Sequence, residues 1–159
     1  MKLYRAKVPT IAHDTIAALL RDDDIEVEGI ADEHALLSIE GGAELAFAGS
    51  RGLFVARSGG AAGLLIEGGE AAPVVLRAWE SVTAGAWDGV GVYDAAVDDS
   101  VVIDGAEIRY GGDGLQGNLH LQSVAATLDN LTLRGCWVCS CKAASDGQSP
   151  AAVLWTCQH

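Results

Sequence analysis

The sequence predicts an all-β chain wound into a single-stranded β-solenoid of about three to four rungs, and three observations carry that prediction. A short phrase of alternating apolar residues, closed by a polar residue or alanine and then glycine, recurs along the chain. It reads Ile25-Glu-Val-Glu-Gly29, Leu37-Ser-Ile-Glu-Gly41, Leu45-Ala-Phe-Ala-Gly49, Leu65-Ile-Glu-Gly68, Val102-Ile-Asp-Gly105 and Leu131-Thr-Leu-Arg-Gly135. Strands this short cannot bury an apolar face alone, so such units stack on one another. Twenty glycines stand against three prolines without a period of three, which assigns the glycines to turns. Finally, the two-residue Asn-Gly turns of an antiparallel sandwich are missing, since neither Asn118 nor Asn130 precedes a glycine.

Taken in order, residues 1–24 form an N-terminal segment with a short helix over 9–21, where Ile11, Thr15, Ala18 and Leu19 share a face. Pro9 and Thr10 suit its start, and Asp22, Asp23 and Asp24 stop it, because negative charge at a helix C-terminus is unfavourable. Its expected task is to cap the open end of the first rung. Residues 25–135 alternate. The expected strands are 25–28, 36–39, 44–47, 53–56, 63–66, 73–77, 89–93, 100–103, 106–110, 118–121, 126–128 and 131–134. Grouped in threes from residue 36, they start rungs at Leu36, Gly63, Ser100 and Ala126, with spacings of 27, 37 and 26 residues. The long second rung holds an insertion over 79–87, expected as a loop pushed out from a corner.

The core expected from this pattern is ladders of Leu37, Ile39, Leu45, Phe47, Leu64, Ile66, Val74, Leu76, Val90, Val92, Val101, Ile103, Ile108, Leu119, Leu121, Leu131 and Leu133. Half of the chain is hydrophobic and a fifth is charged, enough for one domain with a substantial core. Ten basic against twenty-two acidic residues give a net charge of −12. Such a surface repels phosphate backbones, and the expectation is no nucleic-acid partner. No segment approaches the length of a membrane span, and no signal-peptide core follows the charged residues 1–7.

Four stretches in order carry a resemblance: 36–47 (Leu-Leu-Ser-Ile-Glu-Gly-Gly-Ala-Glu-Leu-Ala-Phe), 63–76 with its Gly-Gly-Glu-Ala-Ala-Pro linker, 85–90 (Gly-Ala-Trp-Asp-Gly-Val) and 108–112 (Ile-Arg-Tyr-Gly-Gly). Together they resemble right-handed parallel β-helix repeats of secreted or surface-attached bacterial proteins, of the pectate-lyase-like superfamily. The resemblance implies a right-handed parallel β-helix and an extracellular or cell-surface location. It implies a structural or binding module whose exposed solenoid face takes a polysaccharide or a protein. Members are usually longer, and the pattern here is lost after Gly135, leaving residues 136–159 as an atypical Cys-containing tail. An uncapped last rung is expected to self-associate, and the scaffold reads as incomplete.

Three groups are candidates for chemistry. The acidic set Asp94, Asp98, Asp99, Asp104, Glu107 and Asp113 offers hard oxygen ligands for Ca²⁺, with Arg109 as the nearby base, as in polysaccharide lyases of this fold. On a strand Glu107 and Arg109 share a face, so the plain alternative is a solvated acidic surface with an ion pair. A glycosidase would need closely set carboxylates, and Asp98 and Asp99, as strand neighbours, point opposite ways. In the tail, Cys136, Cys139, Cys141, Cys157 and His159 match half of a Zn²⁺ pattern, against a disulfide or buried thiols. Trp79, at the start of the insertion, is the candidate platform for stacking a sugar; Trp87 is expected to pack across a corner, with stacking second. The balance of these readings is a non-enzymatic module without a cofactor.

Overall fold

The computed structural model describes residues 2–4, 10–11, 23–30, 33–115 and 117–135. Among these residues, fourteen strands form three parallel sheets stacked as a solenoid of about four turns. Sheet A runs β1 (Lys2–Tyr4), β3 (Ile25–Glu28), β6 (Gly52–Val55), β9 (Gly89–Val92) and β12 (Leu119–Leu121). Sheet B runs β2 (Thr10–Ile11), β4 (Ala35–Glu40), β7 (Ala62–Glu67), β10 (Ala96–Asp104) and β13 (Thr127–Asp129). Sheet C runs β5 (Glu44–Phe47), β8 (Val74–Ala78), β11 (Ala106–Arg109) and β14 (Thr132–Arg134). Each of the four turns from β3 onward therefore visits A, B and C once, and each inner strand of a sheet pairs with its equivalents one turn below and one above.

Inward residues stack in register. Ile39, Ile66, Ile103 and Leu128 form one ladder in sheet B; Leu45, Leu76, Ile108 and Leu133 form another in sheet C. Sheet A contributes Ile25, Leu53, Val90 and Leu119 beside Val27, Val55, Val92 and Leu121. All these residues are buried, and so is every aliphatic or aromatic side chain expected in the core from the sequence. Because the three inner faces meet along one axis, each side chain packs on its own kind above and below as well as across the coil.

The glycine of the repeated phrase has a steric cause. At the corner between sheets B and C the chain of one turn lies directly on the next. A Cβ on Gly68 would stand 2.1 Å from the Gly105 carbonyl oxygen, and one on Gly105 1.9 Å from the Gly69 nitrogen. No side chain fits there. The A–B corner is pinned differently: buried Glu28 accepts from the Ser58 N–H at 2.6 Å and the Gly60 N–H at 3.1 Å.

Three details differ from the sequence expectations. Thr10 and Ile11 are a strand beside β4, not the first turn of a helix, because the open backbone edge of the first full turn is satisfied by pairing; the rest of the expected helix lies outside the described residues. The last spacing is 25 residues, since Ile103 pairs with Leu128. And β10 begins at Ala96, because the corner after Val92 is short and a bulge between Ala96 and Val101 restores the register of Val101 on Leu64.

The insertion at 79–87 leaves the C–A corner as expected and ends by turning inward. Trp87 is fully buried, stacked on Phe47 with ring centroids 4.5 Å apart and planes 9° from parallel. Its Nε1–H donates to the Arg109 carbonyl at 2.7 Å. Nearby, buried Asn118 ties the upper turns together: Nδ2 donates to the carbonyls of Ile108 at 2.9 Å and Arg134 at 3.0 Å, and Oδ1 accepts from Gly111 N–H at 2.6 Å.

Candidate functional site

The acidic residues singled out in the sequence are spread over the coil. Asp94 is exposed at the corner after β9. Asp98 and Asp99 sit in the bulge of β10, where Asp98 Oδ1 accepts from the Ala125 N–H at 2.9 Å. Asp104 closes β10 at the B–C corner and accepts from Asn130 Nδ2 at 2.8 Å. Glu107 and Arg109 do share a face, the outer side of sheet C, where they form an ion pair. Arg134, one turn up, adds its Nε at 2.7 Å from Glu107 Oε1. Asp113 lies apart from all of these, in the loop after β11. Among the described residues, no three His, Cys, Asp or Glu side chains come together to hold a metal ion. The hydrogen bond that Arg109 donates to Glu107 pushes its guanidinium above its already high range, with burial opposing, so Arg109 keeps its proton and is ill suited to remove one.

The two tryptophans part company. Trp87 has both ring faces inside the core and offers none to a ligand. Trp79 is half-buried, its Nε1–H donating to Glu80 Oε1 at 2.9 Å and its carbonyl accepting from Arg77 Nη1 at 3.2 Å. Cys136, Cys139, Cys141, Cys157 and His159 lie outside the described residues.

A different constellation forms on the outer face of sheet A. Its outward positions, Glu26, Phe54, Gly91 and His120, stack in register over four turns. The bare backbone at Gly52 and Gly91 is the floor on which two rings lie. A Cβ on Gly52 would stand 2.6 Å from Phe54 Cζ, and one on Gly91 3.0 Å from Tyr93 Cε2 and 3.2 Å from Phe54 Cδ1. Arg57 covers Phe54, its Cζ 4.2 Å from the ring centroid, a cation–π contact. The same guanidinium reaches Asp24 at 3.9 Å, and Asp24 in turn accepts from the Gly52 N–H at 3.1 Å. Tyr93 and His120 meet as a tilted pair, centroids 5.9 Å apart.

Beside these rings stands Asp88, against the bare backbone of Gly114, where a Cβ would lie 2.8 Å from the Asp88 Cγ. Partial burial, then the charges of Asp24 and Asp113, push its carboxyl above the usual carboxylate range; Arg57 and the Gly114 N–H pull the other way. Burial raises the Tyr93 phenol, Arg57 opposes, and Asp88 adds to the rise. Tyr93, His120 and Asp88, part-exposed, and the guanidinium of Arg57 over the buried ring of Phe54 are thus gathered on one face from successive turns.

Compared with protein-family models, curated proteins and solved structures, the chain matches none. Among the described residues, no helix is long and apolar enough to cross a membrane.

Only Asp113 of this constellation was a sequence candidate. Asp24, Phe54, Arg57, Asp88, Tyr93 and His120 are separated by up to 96 positions in the chain. The signal that finds them is the register: once Leu53, Val90 and Leu119 are aligned as equivalent inward residues, Phe54, Gly91 and His120 fall into one outward column.

Proposed function

We propose that the chain is a non-enzymatic β-helix module, akin to the pectate-lyase-like repeats of bacterial surface and extracellular proteins, that holds a polysaccharide on the outer face of sheet A. The observation that carries this reading is the side-by-side placement of Arg57, Asp88, Tyr93 and His120 on that face. Sugar hydroxyls both donate and accept, and so match carboxylates and a guanidinium fork. The C–H face of a pyranose lies on an aromatic ring, and Tyr93 supplies an apolar body with a polar tip. A linear polymer meets equivalent positions on each turn, which suits weak contacts repeated along its length. An enzyme of the lyase type has less support, because the expected ligands for Ca²⁺ are dispersed and Arg109 is held by Glu107.

Affinity electrophoresis against neutral and uronate polysaccharides tests the reading. Retardation by at least one polymer is expected, weakened about tenfold by Tyr93→Ala or Asp88→Ala, the loss of one good contact or more. Both variants should keep the far-ultraviolet circular dichroism of the parent. Absence of retardation by every polymer overturns the binding reading. Release of unsaturated sugars from a uronate polymer with Ca²⁺ overturns the non-enzymatic one.

A further inference from the structure

The outer face of sheet B differs in chemistry from that of sheet A. Its outward positions form three columns. The first is Leu36, Gly63 and Ser100; the second is Ser38, Leu65, Val102 and Thr127; the third is Glu40, Glu67, Asp104 and Asp129. Leu36 leans into the gap left by Gly63, its Cδ1 2.9 Å from where a Cβ there would stand. Leu36, Leu65 and Val102 are half-buried; Leu65 and Val102 stack in one column and Leu36, one column over, leans across Gly63, so that the three form an oblique apolar strip over three turns. On one side of the strip runs the row of four carboxylates. On the other, the bulge of β10 sets out Val97, Asp98 and Asp99, all exposed.

The carboxylate row is unusual for how it is satisfied. Three outward acids elsewhere on the coil meet arginines: Asp24 with Arg57, Glu44 with Arg77, and Glu107 with Arg109 and Arg134. The row meets only neutral donors, Ser38 Oγ on Glu67 at 3.4 Å, Asn130 Nδ2 on Asp104 and Asn130 N–H on Asp129 at 2.9 Å. Among the described residues, no Lys or Arg pairs with any of the four. An apolar strip bordered by carboxylates on both sides, on a chain of net charge −12, fits an occupant that is apolar on one side and cationic on its flanks.

Spacing selects the form of that occupant. Turns of the solenoid recur every ~4.8 Å, the distance between paired strands. A helix laid along the axis returns a side chain to the same face about every 5.4 Å, so over two turns it drifts by only about 1 Å. An extended strand repeats every ~6.7 Å on one face and would be out by nearly 4 Å. We infer that the outer face of sheet B is a docking surface for a basic amphipathic helix of a partner protein, with its apolar stripe on Leu36, Leu65 and Val102 and its Lys or Arg residues over Glu40, Glu67, Asp104 and Asp129.

A labelled synthetic helix of Leu, Ala and Lys with one apolar stripe is the probe, with a scrambled peptide of equal composition beside it, read by fluorescence anisotropy over a salt series. The striped peptide binds roughly tenfold or more tightly than the scramble. The double variant Glu40→Gln with Glu67→Gln weakens it about tenfold and flattens the salt dependence. Leu65→Ser weakens it comparably, whereas Glu80→Gln with Asp94→Asn, an equal charge change elsewhere, leaves it within about twofold. Equal binding of the scramble would reduce the effect to attraction toward an acidic protein and overturn the inference. So would equal losses from the face and control variants. Failure of the peptide to bind, with the protein sedimenting as a dimer that Leu65→Ser dissociates, would assign the face to a second copy instead.

Discussion

Gly105 and Gly69 provide a matched pair for measuring how closely the turns of this solenoid approach. Both have left-handed backbones, with φ of +67° and +66°. Replacing either by alanine therefore carries the same conformational cost, about 1–2 kcal/mol. Their surroundings differ. A Cβ on Gly69 meets nothing within 4 Å, whereas one on Gly105 would lie 1.9 Å from the Gly69 nitrogen and 2.4 Å from its Cα. Relief of that overlap requires two turns to separate by more than 1 Å at a corner with no flexible side chain to yield. Overpacking of this kind costs about 1–3 kcal/mol or more. Gly69→Ala is thus expected to cost about 1–2 kcal/mol and Gly105→Ala about 2–5 kcal/mol. For a chain of this length that lowers Tm by roughly 2–8 °C and 4–20 °C respectively. Thermal unfolding followed by circular dichroism, with urea titration for ΔG, measures both. If the two variants lose the same stability, the close stacking of glycines does not hold this corner, and the reason given for glycine in the repeated phrase is wrong.

Further outcomes follow from other contacts. Trp87→Ala should cost about 3–5 kcal/mol in the same unfolding assay; Trp87→Phe should cost about 1–3 kcal/mol, because it keeps a ring on Phe47 and leaves the Arg109 carbonyl without its donor. Asn118→Asp removes both Nδ2 donors from buried carbonyls and should destabilise by about 2–4 kcal/mol, with Asn118→Ala no milder. Asp88 binds its proton more tightly folded than unfolded, so its contribution to stability is fully present below the ordinary carboxylate range and is lost as pH rises through the higher folded value. Asp88→Asn should therefore match the parent in Tm at low pH and exceed it above that range; a gap that closes on raising the pH would contradict the sign. Glu107→Ala leaves Arg109 and Arg134 facing each other across one turn and should cost about 1–2 kcal/mol, the partial exposure of both guanidinia keeping the figure small. A double-mutant cycle with Arg134→Ala isolates that pairing.

Much of the coil was legible because its rule is local. A side chain on a strand faces in or out by parity, and glycine marks where the chain turns, so the ladders through Ile39, Leu45, Ile66 and Ile108 follow from alternation alone. Ile25 and Val27 are equally buried, although counting turns from residue 36 left their strand at 25–28 without a turn of its own; Leu53 and Val55, on the expected strand 53–56, continue the same ladders. The start of β10 was missed for a related reason: Val97, Asp98 and Asp99 look like loop, and only the pairing of Ala96 with Ala62 reveals them as a bulge. The surface on sheet A lies a step further from the sequence. Arg57, Asp88 and His120 meet only because every intervening turn returns to the same sheet, so a counting error of one residue would have sent Phe54 or His120 inward. Hydrophobic alternation specifies the inside of such a coil, whereas the chemistry of its outside depends on register summed over several turns.

The C–A corner shows what that summation tolerates. Leu64 follows Leu37 by 27 residues and Val101 follows Leu64 by 37, yet the three stack in one ladder. Chain length between turns is thus uncoupled from pairing: of the ten extra residues, four sit at the B–C corner between Leu64 and Leu76 and six at the C–A corner, where Trp87 closes the seam. Lengthening or exchange of the tip of the segment at 79–86, where Val82 is 80% exposed, is expected to leave the pitch of the coil unaltered. A repertoire of surface loops could diversify there on an unchanged spine, in the way that one handle takes many tools.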